Sequence, residues 1–197
     1  MKNKFLVFIL MICLTTAVLV SGCDIAPADA YEVLSDMSKC AYPSFSLNVV
    51  TVYKGETLSS QFTVTNDGDK SVVEYSVEQL TEISLTQPAD GYKTTISGSV
   101  TVENGNITEQ NGESIDIDFK QIGNVGFNFK REYFDTASFS EGKFTATVRA
   151  TAQFMGNSTY EYKNMTVEVN YGTAFEKIVL SYTTAEGATV TATYNFD

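Results

Sequence analysis

Histidine and tryptophan are absent from this 197-residue chain. Without imidazole, the Ser-His-Asp and Cys-His nucleophiles cannot be assembled, and the commonest zinc and haem ligand is missing. No Gly-rich phosphate loop and no Gly-x-Ser-x-Gly elbow occurs either. Cysteine is scarce, at Cys13, Cys23 and Cys40. Cationic charge is the other shortfall: 13 Lys and Arg face 24 Asp and Glu, a net charge of −11. A surface of that sign disfavours nucleic acid and is repelled by anionic headgroups, so contact with a membrane is expected through apolar groups. These absences leave no acid-base machinery, and the chain is expected to be no enzyme, with no cofactor and no metal.

The acids that remain have bland explanations. Asp116 and Asp118 lie two apart on one face of a segment whose other face is Ile115, Ile117 and Phe119, the pattern of a solvated outer face rather than a calcium or proton-sharing pair. Asn66-Asp67-Gly68-Asp69 carries oxygen ligands but lacks the rest of an EF-hand loop; it reads as a hairpin turn. Asn106-Ile-Thr, Asn157-Ser-Thr and Asn164-Met-Thr match the glycosylation pattern, as chance allows in a Thr-rich chain.

The N-terminus is MKNK, then FLVFILMICLTTAVLV, then SGC: a positive region, an apolar run and small residues, the layout of a secretory signal. A transmembrane anchor is the other reading of such a run, which is short for a span. Val20-Ser21-Gly22-Cys23 resembles the bacterial lipobox. The resemblance implies cleavage before Cys23, a thioether lipid with palmitate-like acyl chains on Cys23, and an extracytoplasmic protein tethered to the cell membrane. More than one acyl chain makes such anchoring stable, at roughly 0.8 kcal/mol per buried CH₂. On this reading residues 1–22 are the signal peptide and 23–29 the lipidated cysteine and short tether. Residues 30–197 form one domain, long enough to bury a core. Cys40 is left without an intramolecular partner and is expected to be a small buried residue.

Beyond the tether, Ala30, Val33, Leu34, Met37 and Ala41 recur at helical spacing between Pro27 and Pro43, which predicts an amphipathic helix of about three turns. From Ser44 the period changes to two. Phe45, Leu47 and Val49 alternate with polar neighbours, then Leu58, Ser60, Phe62 and Val64, then Val73, Tyr75 and Val77. After a break at Pro88-Ala89-Asp90-Gly91 come Ile96, Val100 and Val102, then Ile115, Ile117 and Phe119. The stretch 121–143 is read as a strand followed by an irregular flap near residues 130–140. Alternation resumes over Phe144, Ala146, Val148, Ala150, Ala152 and Phe154, turns at Gly156-Asn157, continues through Met165, Val167 and Val169, and ends in FEKIVLSY and ATVTATYNF. About nine or ten antiparallel strands with short turns are expected, sequential strands being neighbours.

The fold class is therefore mainly β, with one N-terminal helix. A helix about 10 Å wide covers only a few strands spaced about 4.8 Å apart. The remaining apolar face, rich in the chain's 13 Phe and 11 Tyr, needs either a curved sheet around a cavity, as in an incomplete barrel, or a second sheet, as in a two-layer β-sandwich.

The order of elements, a lipobox, a short tether, the helix AYEVLSDMSK and long strands opening SFSLNVVTVYKGE, is similar to the LolA/LppX-like lipoprotein-carrier superfamily. The closing pair FEKIVLSYTTAEGATVTATYNFD resembles the final strands of such proteins. The better-known carriers thread more helices between their strands than this chain offers. The resemblance implies non-covalent binding of a lipid or other hydrophobic ligand at the membrane surface. Phe45, Leu47, Phe62, Val64, Tyr75, Ile96, Phe144 and Val148 would line the site, and the flap would gate it. Each of the eight is equally suited to a core. The competing reading is a surface interaction module for a protein or polysaccharide, with Tyr and Thr rows as contacts. If the lipobox reading holds, metabolic labelling of the host with tagged palmitate marks the native chain and leaves Cys23→Ser unlabelled; equal label on both would remove the anchor.

Overall fold

The computed structural model describes residues 27–80, 93–123, 126–150, 152–155 and 162–197. The expected signal peptide, Cys23, and the expected break at 88–91 and turn at Gly156-Asn157 lie outside the described residues.

Helix α1 spans Pro27–Met37. Proline is tolerated at its first position, where the missing N–H would have no partner anyway. Its buried stripe is Ala30, Tyr31, Leu34 and Met37. The expected Ala41 lies beyond the helix and is exposed, because bonds from the Lys39 and Cys40 N–H groups to the Asp36 and Met37 carbonyls tighten the last turn and end the helix. Cys40 is exposed too, not buried.

Ten strands follow: β1 Ser44–Tyr53, β2 Glu56–Asp67, β3 Lys70–Leu80, β4 Lys93–Glu103, β5 Asn106–Gly112, β6 Phe134–Ser140, β7 Lys143–Val148, β8 Tyr162–Tyr171, β9 Phe175–Thr184 and β10 Thr189–Phe196. They form one antiparallel sheet in the order β5-β4-β3-β2-β1-β10-β9-β8-β7-β6. Two five-stranded meanders thus lie side by side, joined where the first strand pairs with the last, Phe45 opposite Phe196 and Leu47 opposite Tyr194. The outermost strands β5 and β6 sit at opposite edges, so the sheet is not closed into a barrel. A single sheet replaces the sandwich alternative.

Period-2 alternation does what the sequence predicts. Phe45, Leu47, Phe62, Val64, Val73, Tyr75, Val100, Phe144, Val167, Val169, Ile178 and Leu180 all point to one buried face. The hairpin turns are equally local. Gly68 closes β2–β3 at φ 59°, and Asn104-Gly105 closes β4–β5 with both residues at positive φ, as a tight two-residue turn demands.

What covers the inner face is the main departure from expectation. Residues 113–118 form no strand, although Ile115, Ile117 and Phe119 alternate. They lead into a short helix α2, Phe119–Gly123, and residues 126–130 run without regular structure into a 3₁₀ turn at Arg131–Tyr133. The expected order of strand and flap is reversed: irregular chain comes first, and residues 134–140 are strand β6. The physical reason is topological. The chain leaves β5 at one edge and must enter β6 at the other, so it crosses the inner face, and it carries its aromatic residues inward as cover. Phe119 packs on Tyr75 of β3, Phe127 on Tyr194 of β10, and Phe129 on Phe175 of β9 and Phe144 of β7. β7 also ends earlier than the alternation suggests, at Val148, yet Ala152 and Phe154 remain buried, with Phe154 stacked on Phe127.

The core is therefore one layer of sheet closed by α1 and an aromatic strap. Removing a strap ring should leave a cavity that the surrounding rings cannot fill. Phe129→Ala is expected to cost about 3–5 kcal/mol, read as a lower urea midpoint at unchanged slope. A loss under about 1 kcal/mol would mean that the strap is not part of the cooperative core.

Candidate functional site

The eight residues expected to line a ligand cavity are all on the inner face, and all are buried, with relative exposures between 0 and 8%. They are packed against one another and against the strap in one hydrophobic cluster. Tyr75 has a specific structural task. Its ring lies across Gly98 of the neighbouring strand, where a Cβ would collide with the phenol and with the Asn111 carbonyl. From there its hydroxyl donates to the Glu113 carbonyl at 2.7 Å, holding the start of the strap. Of the eight, Phe45 borders an open groove.

That groove, of about 560 Å³, lies just past the C-terminal end of α1, between residues 38–42 and α2. Phe45, Val102, Phe119 and Tyr42 form its apolar floor, and Lys39, Asn66, Asp69 and Lys120 its polar rim. Tyr42 sets the geometry. Its hydroxyl donates to the Met37 carbonyl at 3.0 Å and accepts the Phe175 N–H at 3.2 Å, tying the end of the helix to β9. Burial raises the Tyr42 phenol pKa, partly opposed by that bond from Phe175. Asn66 fixes the opposite wall, donating from Nδ2 to the Tyr42 carbonyl at 2.9 Å and accepting from Ser71 Oγ at 2.6 Å. Lys39 pairs with Asp36 at 2.9 Å; the pair is exposed and contributes little to stability. The hydrogen bond from Lys39 to Asp36 raises the lysine pKa above its ordinary value.

A second groove, of about 660 Å³, opens beside the first turns of α1. Tyr31, Phe134 and Phe139 form its apolar wall, and Arg131, Glu132, Asp135 and Arg149 its charged rim. Volumes of this order are those of small-molecule sites. No sequence signal singles out Tyr42, Phe119 or Tyr31: period-2 and helical patterns mark what turns inward, not where cover is incomplete. Asp118, one of the paired acids, has a local task instead, accepting the Lys120 N–H at 3.1 Å through Oδ1 at the head of α2. Among the described residues no cluster of three His, Cys, Asp or Glu could hold a metal ion. No helix among them is long and apolar enough to cross a membrane.

Tyr42→Phe would test how far the groove wall depends on one hydroxyl. It removes both bonds and orphans the Phe175 N–H, so a loss of about 1–3 kcal/mol is expected. Thermal unfolding checks it, and an unchanged midpoint would contradict the assignment.

No family model matches the chain, and no curated protein matches it. Among solved structures, the dehydratase domain from the CurF module of curacin polyketide synthase is similar at 10% identity, over 86% of this chain and 78% of that one. The TM-score is 0.20, so that likeness carries no argument about fold or activity.

Proposed function

We propose that this chain is a lipid-anchored protein of the bacterial envelope, not an enzyme, whose β domain binds a lipid or other amphiphile non-covalently at the extracytoplasmic membrane surface. The observation that supports this most is the pair of open grooves at the two ends of α1, each with an apolar floor and a polar rim, on the inner face of an unclosed sheet. An amphiphile matches such a lining: its chain leaves water against the aromatic floor while its head stays at the rim. Packing limits how this can work. Phe45, Val102 and Phe119 are already buried, and each further 100 Å² of apolar area removed from water contributes only about 2.5 kcal/mol. Strong binding of a whole acyl chain therefore requires α2 to lift from the sheet and uncover Tyr75 and Phe45. The ligand would then enter under the strap rather than occupy a preformed cavity.

A second reading, an interaction module for a protein or polysaccharide, has its own support on the outer face. There Thr191, Ser181, Thr166, Thr147 and Thr136 lie side by side on β10, β9, β8, β7 and β6. The row is knitted by hydroxyl contacts of 3.4 Å between Ser181 and Thr191 and 3.1 Å between Thr136 and Thr147. A hollow of about 420 Å³ runs along it.

Native mass spectrometry of protein purified gently from its host separates the two. A discrete lipid-sized adduct that is lost on organic extraction and restored by added lipid is the expected result. A clean mass that takes up no added lipid would overturn the amphiphile reading and leave the hydroxyl face as the working surface.

A further inference from the structure

The chain has only two arginines, Arg131 and Arg149. Both line the groove at the N-terminal end of α1. The fold brings them there from different elements. Arg131 opens the 3₁₀ turn before β6, Arg149 follows the end of β7, and the Arg149 N–H donates to the Tyr133 carbonyl at 2.8 Å, fixing one to the other. Asp135 Oδ1 holds the Arg149 Nε at 3.0 Å. Among the described residues Arg131 has no ion pair, and its charge acts on the nearby Tyr31 phenol: burial raises that group's pKa, and Arg131 opposes the rise. Glu132 and Asp135 share the rim, so the groove has no long-range pull on anions. Selectivity must come from short-range geometry, which the planar guanidinium fork supplies for phosphate oxygens.

Position adds the second argument. Tyr31 stands four residues into α1, about 6 Å along the helix axis from Pro27. Cys23 precedes Pro27 by four residues, a chain that spans at most about 14 Å. The other groove begins past Met37, at the far end of the helix, about 15 Å along the axis from Pro27 and so about 9 Å beyond Tyr31. A membrane anchor at Cys23 would therefore lie nearer, along the helix, to the arginine groove than to the other.

We propose that the groove lined by Tyr31, Phe134, Phe139, Arg131 and Arg149 binds the phosphodiester headgroup of an anionic phospholipid in the membrane to which Cys23 tethers the chain. This rests on the amphiphile reading and on lipidation of Cys23. The two guanidinium groups take the phosphate, and the three rings receive the first carbons of the acyl chains. The net charge of −11 would otherwise push the domain away from an anionic leaflet, and the site gives it a defined docking face.

The test uses the mature chain purified from its host in a neutral detergent, its intact mass reporting whether Cys23 is lipidated. Short-chain phosphatidylglycerol, short-chain phosphatidylcholine and inorganic phosphate are titrated separately, with calorimetry as the readout. Saturable binding of one phosphatidylglycerol is expected, at least tenfold tighter than phosphatidylcholine or phosphate. Arg131→Gln should weaken it at least tenfold, with Arg131→Lys intermediate and the thermal midpoint unchanged in both. Equal affinity for the two lipids, indifference to Arg131→Gln, or phosphate binding as tightly as the lipid would each overturn the headgroup site. A chain without lipid on Cys23 would remove the tether argument while the titration still decides the site. Uptake of lipid that ignores both headgroup and Arg131 would sink this site and leave the broader amphiphile reading standing.

Discussion

Everything in this fold depends on the ladder between β1 and β10. Each meander is a run of local hairpins whose register is set by its own turns, and neither half has enough partners to bury its aromatic face alone. Pairing Phe45 with Phe196 and Leu47 with Tyr194 fuses them into one ten-stranded surface. The seam is then covered by rings from both halves and from the loop after α1, with Tyr42 against Phe175 and Phe196, and Phe45 against Tyr194 and Phe196. Burial there pushes the phenol of the partly buried Tyr194 far above its ordinary pKa. These contacts join residues about 150 positions apart, so closing the seam costs loop entropy before its packing is gained, and the two meanders are expected to form first.

The seam also dictates the strap. Once the first and last strands occupy the centre, the strands at the middle of the chain are forced to the edges, and the connection between β5 and β6 must traverse the whole inner face. That traverse supplies the second layer which one short helix could not. An irregular backbone over a sheet leaves gaps at its ends, and the two grooves lie where α1, the strap and the sheet margin fail to meet. The exposed edges are handled differently. Every residue of β5 is exposed and its pairing with β4 carries a bulge, features that discourage further strands from adding. β6 lines the arginine groove with Phe134, Asp135, Ala137 and Phe139.

The period-2 pattern made the strands, the turns at 54–55, 68–69 and 104–105, and the inward face legible from sequence, because those features are decided by neighbours two residues away. The eight expected ligand contacts show the limit of that legibility. Periodicity puts Phe62 and Val148 on the buried face but says nothing of what covers that face, and over Phe144, Phe175 and Tyr194 it is Phe127 and Phe129. The spacing of Phe127 and Phe129 imitates a strand. It is instead an extended crossing with few backbone partners, which no local pattern distinguishes from a strand. Tyr75, expected as a ligand contact, also pins the strap, which is visible only once Gly98 and Glu113 stand beside it.

This packing bears on how such a domain can handle a hydrophobic ligand. An enclosed cavity binds without rearrangement but leaves its lining short of contacts when empty, at a cost that grows with the void. This interior avoids that cost by filling the space with its own aromatic strap. A ligand entering the inner face must then displace protein rings by acyl carbons, an exchange of one apolar contact for another that gains little free energy of burial. The remaining differential must come from the ends: charge and hydrogen bonding at a headgroup, or confinement near a membrane by a tether. A packed core thus shifts the burden of recognition from the chain of an amphiphile to its head. On the proposed reading, the groove that holds both arginines, the nearer of the two to the proposed tether, would carry it.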